Sequence, residues 1–171
     1  MADWWQWSQQ KEEEALTFAV VGVGRFGTAV CRELISNGVD VLAADASEKA
    51  IDDLRQLEPS IEARVIDCTD EESMKESGIL EMNTVVVGIS EPIEASITTT
   101  LIAKDSEGTK VKRVIARATS DLHEKMLKRV GADKVVFPVP DKPKNNATLP
   151  LAFTFAEQCI GNTFFSGNKK F

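Results

Sequence analysis

The chain has 171 residues, enough for one doubly wound domain with short extensions and too few for a two-domain dehydrogenase. Its 43% hydrophobic and 27% charged content is that of a globular protein with a real core, which excludes global disorder. The net charge of -7 argues against a nucleic-acid partner, because such affinity rests on basic patches that neutralise phosphates.

Residues 1–16 carry Trp4, Trp5 and Trp7 followed by a polar run, Lys11 to Glu14, and read as an appended arm. From Thr17 short β-branched runs alternate with amphipathic stretches, the pattern of a parallel sheet with crossover helices. Phe18 to Val21 is the first expected strand. Phe26, Ala29, Val30, Glu33, Leu34 and Asn37 then fall at helical spacing over 25–37, and Gly38 stops the helix. Val39 to Ala44 is the second strand, Glu48 to Leu57 the second helix and Ala63 to Ile66 the third strand. Thr69 or Asp70 caps a short helix ending near Gly78, and Thr84 to Val87 is an unbroken β-branched run typical of a strand buried on both faces. Pro92 begins a helix to about Asp105, Val111 to Ala116 is the fifth strand, Ser120 and Asp121 open a helix that ends at Gly131, and Val135 to Phe137 is the sixth strand. Past Pro138 the alternation stops: Pro140, Pro143, Asn145 and Asn146 read as a linker, and Leu149 to Phe155 as a short apolar segment. The expected organisation is an arm over 1–16, an α/β Rossmann-type doubly wound parallel sheet with helices on both faces over 17–138, and a linker and tail over 139–171.

The chemistry concentrates where the first strand meets the first helix. Gly22, Gly24 and Gly27 form GxGxxG: the first glycine permits the tight turn, the second lets backbone approach a pyrophosphate, and the third lets helix pack on strand. The helix N-terminus offers oriented N–H groups to the phosphates. Asp45 ends the second strand about eighteen residues after Gly27, where a carboxylate accepts hydrogen bonds from ribose hydroxyls and disfavours a 2′-phosphate. The competing role for Asp45 is a helix N-cap, with Ser47 sharing it. Arg25, inside the glycine turn, faces the phosphates, with a solvated first-turn arginine as its other reading; Phe26 beside it and Ala46 after Asp45 complete the candidate contacts there. Asp67 and Cys68 end the third strand on the carboxyl edge where an adenine would lie, with a strand-end cap as the alternative for Asp67. Ser90 after the fourth strand and Arg117 after the fifth reach the same edge, Arg117 with a surface salt bridge as its other reading.

No catalytic apparatus is visible: there is no nucleophile with a base at motif spacing and no metal-ligand cluster. His123, the lone histidine, falls in a helix away from the expected crevice and reads as solvated or at an interface. Cys31, Cys68 and Cys159, odd in number and without a CxxC pair, read as free thiols in a reducing cytoplasm. No apolar run approaches the roughly 18 residues needed to cross a bilayer, and no secretory signal opens the chain, so a direct span is not expected.

Val21 to Gly27 with arginine after the second glycine, Asp45, Val65-Ile66-Asp67-Cys68-Thr69-Asp70, Val114-Ile115-Ala116-Arg117-Ala118 and Gly131 to Pro138 together resemble an RCK N-terminal domain, also called TrkA-N or KtrA-type, of the regulatory subunits of bacterial potassium uptake systems. The resemblance covers about residues 17–138. It implies a non-enzymatic cytoplasmic homo-oligomer, a dimer or ring of dimers, that binds ATP, ADP or NAD(H) and gates a membrane-embedded potassium-translocating subunit. Carried over by position, Gly22, Gly24, Arg25 and Gly27 hold phosphates, Asp45 the ribose, and Asp67 and Cys68 the adenine side, with Arg117 near the phosphates or the dimer contact. Two departures follow. Where the family commonly has a glutamate after the Phe-Pro pair, helping to hold a cation at the dimer interface, this chain has Val139, and the tail to Phe171 does not follow the family's C-terminal lobe. The fingerprint alone leaves an NAD-dependent oxidoreductase, or a fragment of one, and an interaction module without nucleotide as the other readings.

Overall fold

The computed structural model describes residues 16–137, in which the βα alternation is realised as one six-stranded sheet. In chain order the elements are β1 (Phe18–Val21), α1 (Arg25–Ser36), β2 (Val41–Asp45), α2 (Glu48–Leu57), β3 (Glu62–Val65), α3 (Glu71–Glu76), a 3-10 turn (Ile79–Glu81), β4 (Thr84–Val87), α4 (Ile93–Asp105), β5 (Arg113–Arg117), α5 (Asp121–Arg129) and β6 (Lys134–Val136). The strand order is β3-β2-β1-β4-β5-β6, and every neighbouring pair is parallel. The arm through residue 15 with its tryptophans, and the segment from Pro138 onward with Val139, Leu149 to Phe155 and Cys159, lie outside the described residues.

Alternation along the strands builds two cores. Phe18, Val20, Val41, Ala43, Val86 and Ile115 face α1 and α2, where Val30, Cys31, Leu34, Ile51 and Leu54 meet them. Ala19, Val21, Leu42, Val85, Val87 and Val114 face the opposite layer, against Met74, Ile79, Ala103 and Leu127. Burying a side chain of this size contributes roughly 1.5–3 kcal/mol, so the central strands β1 and β4, buried at every position, anchor the domain. The edge strand β3 is different: Glu62, Arg64 and Val65 are exposed and only Ala63 is buried.

Helix starts follow the capping rules. Ser47 accepts from the Ala50 N–H at 3.2 Å, Asp70 from the Ser73 N–H at 2.8 Å and Ser120 from the His123 N–H at 3.2 Å. Asp70 rather than Thr69 therefore caps α3. Helix α1 begins on Gly24 with no side-chain cap among the described residues and no acidic residue in its first turn.

Element bounds move by one or two residues from the sequence expectation. Val39 donates to the Leu34 carbonyl at 3.1 Å and so finishes the α1 turn, and β2 starts at Val41 and includes Asp45. Val111 is tied to Thr109 Oγ1 at 3.3 Å and Lys112 to the Asn83 carbonyl at 2.9 Å, which delays β5 to Arg113. Pro92 precedes α4 as its cap residue, with the helix starting at Ile93.

Candidate functional site

The strand order reverses between β1 and β4, whose following helices leave to opposite faces and open a crevice at the carboxyl ends of the strands. Most of the sequence-derived candidates converge there.

The three glycines have separable physical roles. Gly22 has φ +88°, and a Cβ on it would come within 2.8 Å of the Ile89 backbone nitrogen, so both conformation and space demand glycine. At Gly27 a Cβ would collide with the Gly22 carbonyl oxygen, which is the close approach of α1 to the β1 turn. At Gly24 a Cβ would meet nothing within 4 Å. The second glycine thus borders open space beside the uncapped start of α1.

Asp45 is half-buried, and its carboxylate is engaged on both oxygens: Oδ2 accepts from the Val23 N–H and Oδ1 from the Ser47 N–H, each at 2.8 Å. Ser47, not Asp45, is the α2 cap. Asp45 instead ties the glycine turn to the end of β2, and a carboxylate has about four lone-pair sites, which leaves capacity for a ligand hydroxyl. Ala46 is exposed directly after it.

Arg25 is exposed at the first position of α1, and Arg117 is half-buried at the end of β5. The Arg117 guanidinium carbon lies 5.4 Å from the centroid of the Phe26 ring, a cation–π distance. Its Nε is buried without a hydrogen-bond partner among the described residues. Burial, and secondly the charge of Arg25, hold the Arg117 pKa below the usual guanidinium value. Neither arginine forms a salt bridge among the described residues. Two unpaired cations therefore flank the glycine turn, an arrangement whose cost an anion would relieve.

At the β3 end, Asp67 is exposed and accepts from the Thr69 N–H at 2.9 Å and from Thr69 Oγ1 at 2.6 Å, bonds that hold its carboxyl below the usual carboxylate range. This is the turn role foreseen as its alternative. The Cys68 thiol is buried in the core, pushed up to about 12 chiefly by burial, and its carbonyl accepts from Thr99 Oγ1 at 2.9 Å. Ser90 is half-buried in the loop after β4.

Sequence reasoning missed Gly88. Its N–H donates to the Val21 carbonyl at 2.7 Å, and a Cβ there would stand 2.7 Å from the Gly22 oxygen, so the floor of the crevice exists because both turns are glycine. The available signal was a glycine closing an unbroken β-branched strand. His123 corrects an expectation: it is 1% exposed, neither solvated nor at the surface. Its Nδ1 accepts from the Thr119 N–H at 3.2 Å, which puts the proton on Nε2, and that atom is buried without a partner among the described residues. Burial holds its pKa below the usual histidine value.

Among the described residues no group of three or more His, Cys, Asp or Glu side chains is arranged to hold a metal ion, and no helix is long and apolar enough to cross a membrane. The model of the TrkA-N domain matches residues 18–138. "Ktr system potassium uptake protein C" of Bacillus subtilis (strain 168) is 39% identical over 130 residues, which are 76% of this chain and 57% of that protein. The chain spans about half the length of the curated relatives it matches, 57% of one and 54% of two others. Among solved structures, the TrkA-N domain of inner membrane protein ybaL from Escherichia coli superposes with a TM-score of 0.61 at 24% identity, covering 72% of this chain and 87% of that one. The GsuK channel bound to NAD has the same fold over 73% of this chain and 22% of its own, with a TM-score of 0.61 at 14% identity. By the residues matched and the identity to its relatives, the chain belongs to the TrkA-N domain family.

Proposed function

We propose that this chain is a nucleotide-binding regulatory subunit of a potassium uptake system, with residues 17–138 as its sensing domain and no chemistry of its own. The observation that carries the reading is the pair of cations at the glycine turn that form no salt bridge among the described residues, with the Arg117 guanidinium against Phe26, its Nε without a hydrogen-bond partner among those residues, beside an uncapped helix start. That environment favours a polyphosphate. Asp45, bonded to the loop yet with acceptor capacity left, suits an unmodified ribose, so ATP or ADP is the expected ligand and NAD(H) the related one.

In this reading Gly22, Gly24, Arg25, Phe26, Gly27 and Arg117 cradle the phosphates, Asp45 and Ala46 take the ribose, and Ser90 lines the crevice. Asp67 and Cys68 border the adenine through the β3 turn. The relatives' designation as potassium uptake proteins supports a membrane-embedded potassium-translocating partner, met at the cytoplasmic face by a homo-oligomer of this chain. Bound nucleotide acts by differential affinity for two arrangements of that oligomer.

Calorimetric titration of the full chain with ATP, ADP, NAD and NADH tests the binding step, and potassium flux in vesicles carrying the translocating subunit tests the coupling. Binding by ATP or ADP together with nucleotide-dependent flux is expected. Absence of binding by all four nucleotides, or flux indifferent to the chain, rejects the proposal; turnover of NAD(H) with a small substrate would return the oxidoreductase reading.

A further inference from the structure

The glycine turn is held by two side chains from different elements, and only one of them belongs to a recognised fingerprint. Asp45, from β2, accepts the Val23 N–H at 2.8 Å. Thr28, one turn into α1, donates its Oγ1–H to the Val23 carbonyl at 2.9 Å. Val23 is itself 3% exposed, so its backbone groups are withdrawn from water and depend on these partners. Residue 23 is thus clamped on both of its peptide planes.

We propose that Thr28 is a positioning residue for the phosphate loop, fixing the Val23–Gly24 peptide so that its N–H, and not its carbonyl, is offered to an anion. This rests on the proposed nucleotide site. In a trans peptide the N–H points opposite to the C=O, so holding the Val23 carbonyl toward Thr28 sets the direction of the Gly24 N–H. Gly24 needs such a restraint more than other residues would. Without a Cβ, glycine resists rotation of the adjoining peptide least, and nothing lies within 4 Å of where a Cβ would be to block the alternative. A flipped plane would present the carbonyl oxygen, with its partial negative charge, between Arg25 and the α1 start. Thr28 also donates its own N–H to the Gly24 carbonyl at 2.9 Å, so one residue anchors two successive carbonyls of the loop.

The test compares Thr28→Val, which keeps the branched shape and loses the hydroxyl, with Thr28→Ser, which keeps the hydroxyl. For the full chain, Thr28→Val is expected to weaken ADP about three- to tenfold, the loss of one net hydrogen bond, while adenosine, which carries no phosphate, binds as to the wild type. Thr28→Ser restores ADP affinity. In the ligand-free chain, the residual dipolar coupling of the Gly24 N–H, which reads the direction of the Val23–Gly24 plane, changes in Thr28→Val and not in Thr28→Ser. Equal ADP affinity in all three proteins, or equal loss of ADP and adenosine, overturns the proposal. Should wild type bind no ADP, the nucleotide reading fails, and the orientation of the Gly24 N–H still decides the clamp: an unchanged coupling in Thr28→Val overturns it.

Discussion

Gly24→Ala and Gly27→Ala are the same chemical change three residues apart, and the structure assigns them opposite consequences. At Gly27 the new methyl collides with the Gly22 carbonyl, and both partners are backbone, so relief requires α1 to move off β1 and loosen Val30, Cys31 and Leu34 from their core. Overpacking by one methyl costs about 1–3 kcal/mol where side chains can yield. Here they cannot, so the expected loss is at least ~3 kcal/mol, a large share of a typical domain stability of about 5–15 kcal/mol. At Gly24 the methyl meets nothing within 4 Å, and φ -66° is open to alanine. Alanine is a poorer N-cap than glycine by several tenths of a kcal/mol, while restricting the unfolded chain returns about 0.4–1 kcal/mol, so stability stays within ~1 kcal/mol of wild type. The methyl does fill the approach to the proposed phosphate loop, and ADP affinity is expected to fall at least about tenfold, or ~1.4 kcal/mol. Urea unfolding followed by circular dichroism, with ADP calorimetry on the same samples, reads both quantities. A Gly27→Ala protein as stable as wild type, or a folded Gly24→Ala protein with undiminished ADP affinity, would refute the reasoning.

Arg117→Met removes a half-buried cation that repels Arg25 and whose Nε has no partner among the described residues, at the loss of the contact with Phe26 worth about 0.5–1 kcal/mol. Stability of the free chain should therefore change by less than ~1 kcal/mol, whereas ADP affinity should fall at least about tenfold for a lost charged hydrogen bond. Calorimetry and urea midpoints check this, and a variant destabilised without losing affinity would make Arg117 structural. His123 predicts a pH dependence. Its folded pKa is depressed by burial, so below the unfolded value of about 6.5 the unfolded chain binds a proton that the folded chain refuses. Its contribution is complete above about pH 6.5 and is lost as pH falls toward the folded value. Urea midpoints at about pH 7.5 and about pH 5.5 should differ more in wild type than in His123→Gln; equal differences would contradict the assignment. Asp67, Asp70 and Glu71, also depressed, act in a separate window below the carboxylate reference values of about 4.

What the sequence made legible is what local chemistry decides. Thr84 to Val87 reads as a strand buried on both faces, and it is buried at every residue. Ser120 and Asp70 announce helix starts because a short acceptor side chain satisfies an orphan N–H wherever the chain leads. Strand starts were displaced where distant groups claim the backbone: Asn83 takes the Lys112 N–H, and no local pattern encodes that. In the crevice, the fingerprint located the turn and Asp45, but the donation of the Val23 N–H to Asp45 and the donation by Thr28 depend on the turn's closed geometry. His123 was misread for the same reason. His123 shares a helix face with Leu127, four residues on and buried with it, but the lone-histidine reading did not use that spacing, and only the folded turn shows that Nδ1 is satisfied by Thr119.

The exposed pattern of β3 bears on behaviour in concentrated solution. A passing chain that tried to extend the sheet at this edge would have to align against a four-residue strand from which Glu62 and Arg64 project, and strip water from both charges. The strand is short and its charges alternate with Ala63, so it offers no flat apolar template. These charges disfavour strand addition at this margin, where Val65 is the one exposed apolar side chain of the strand.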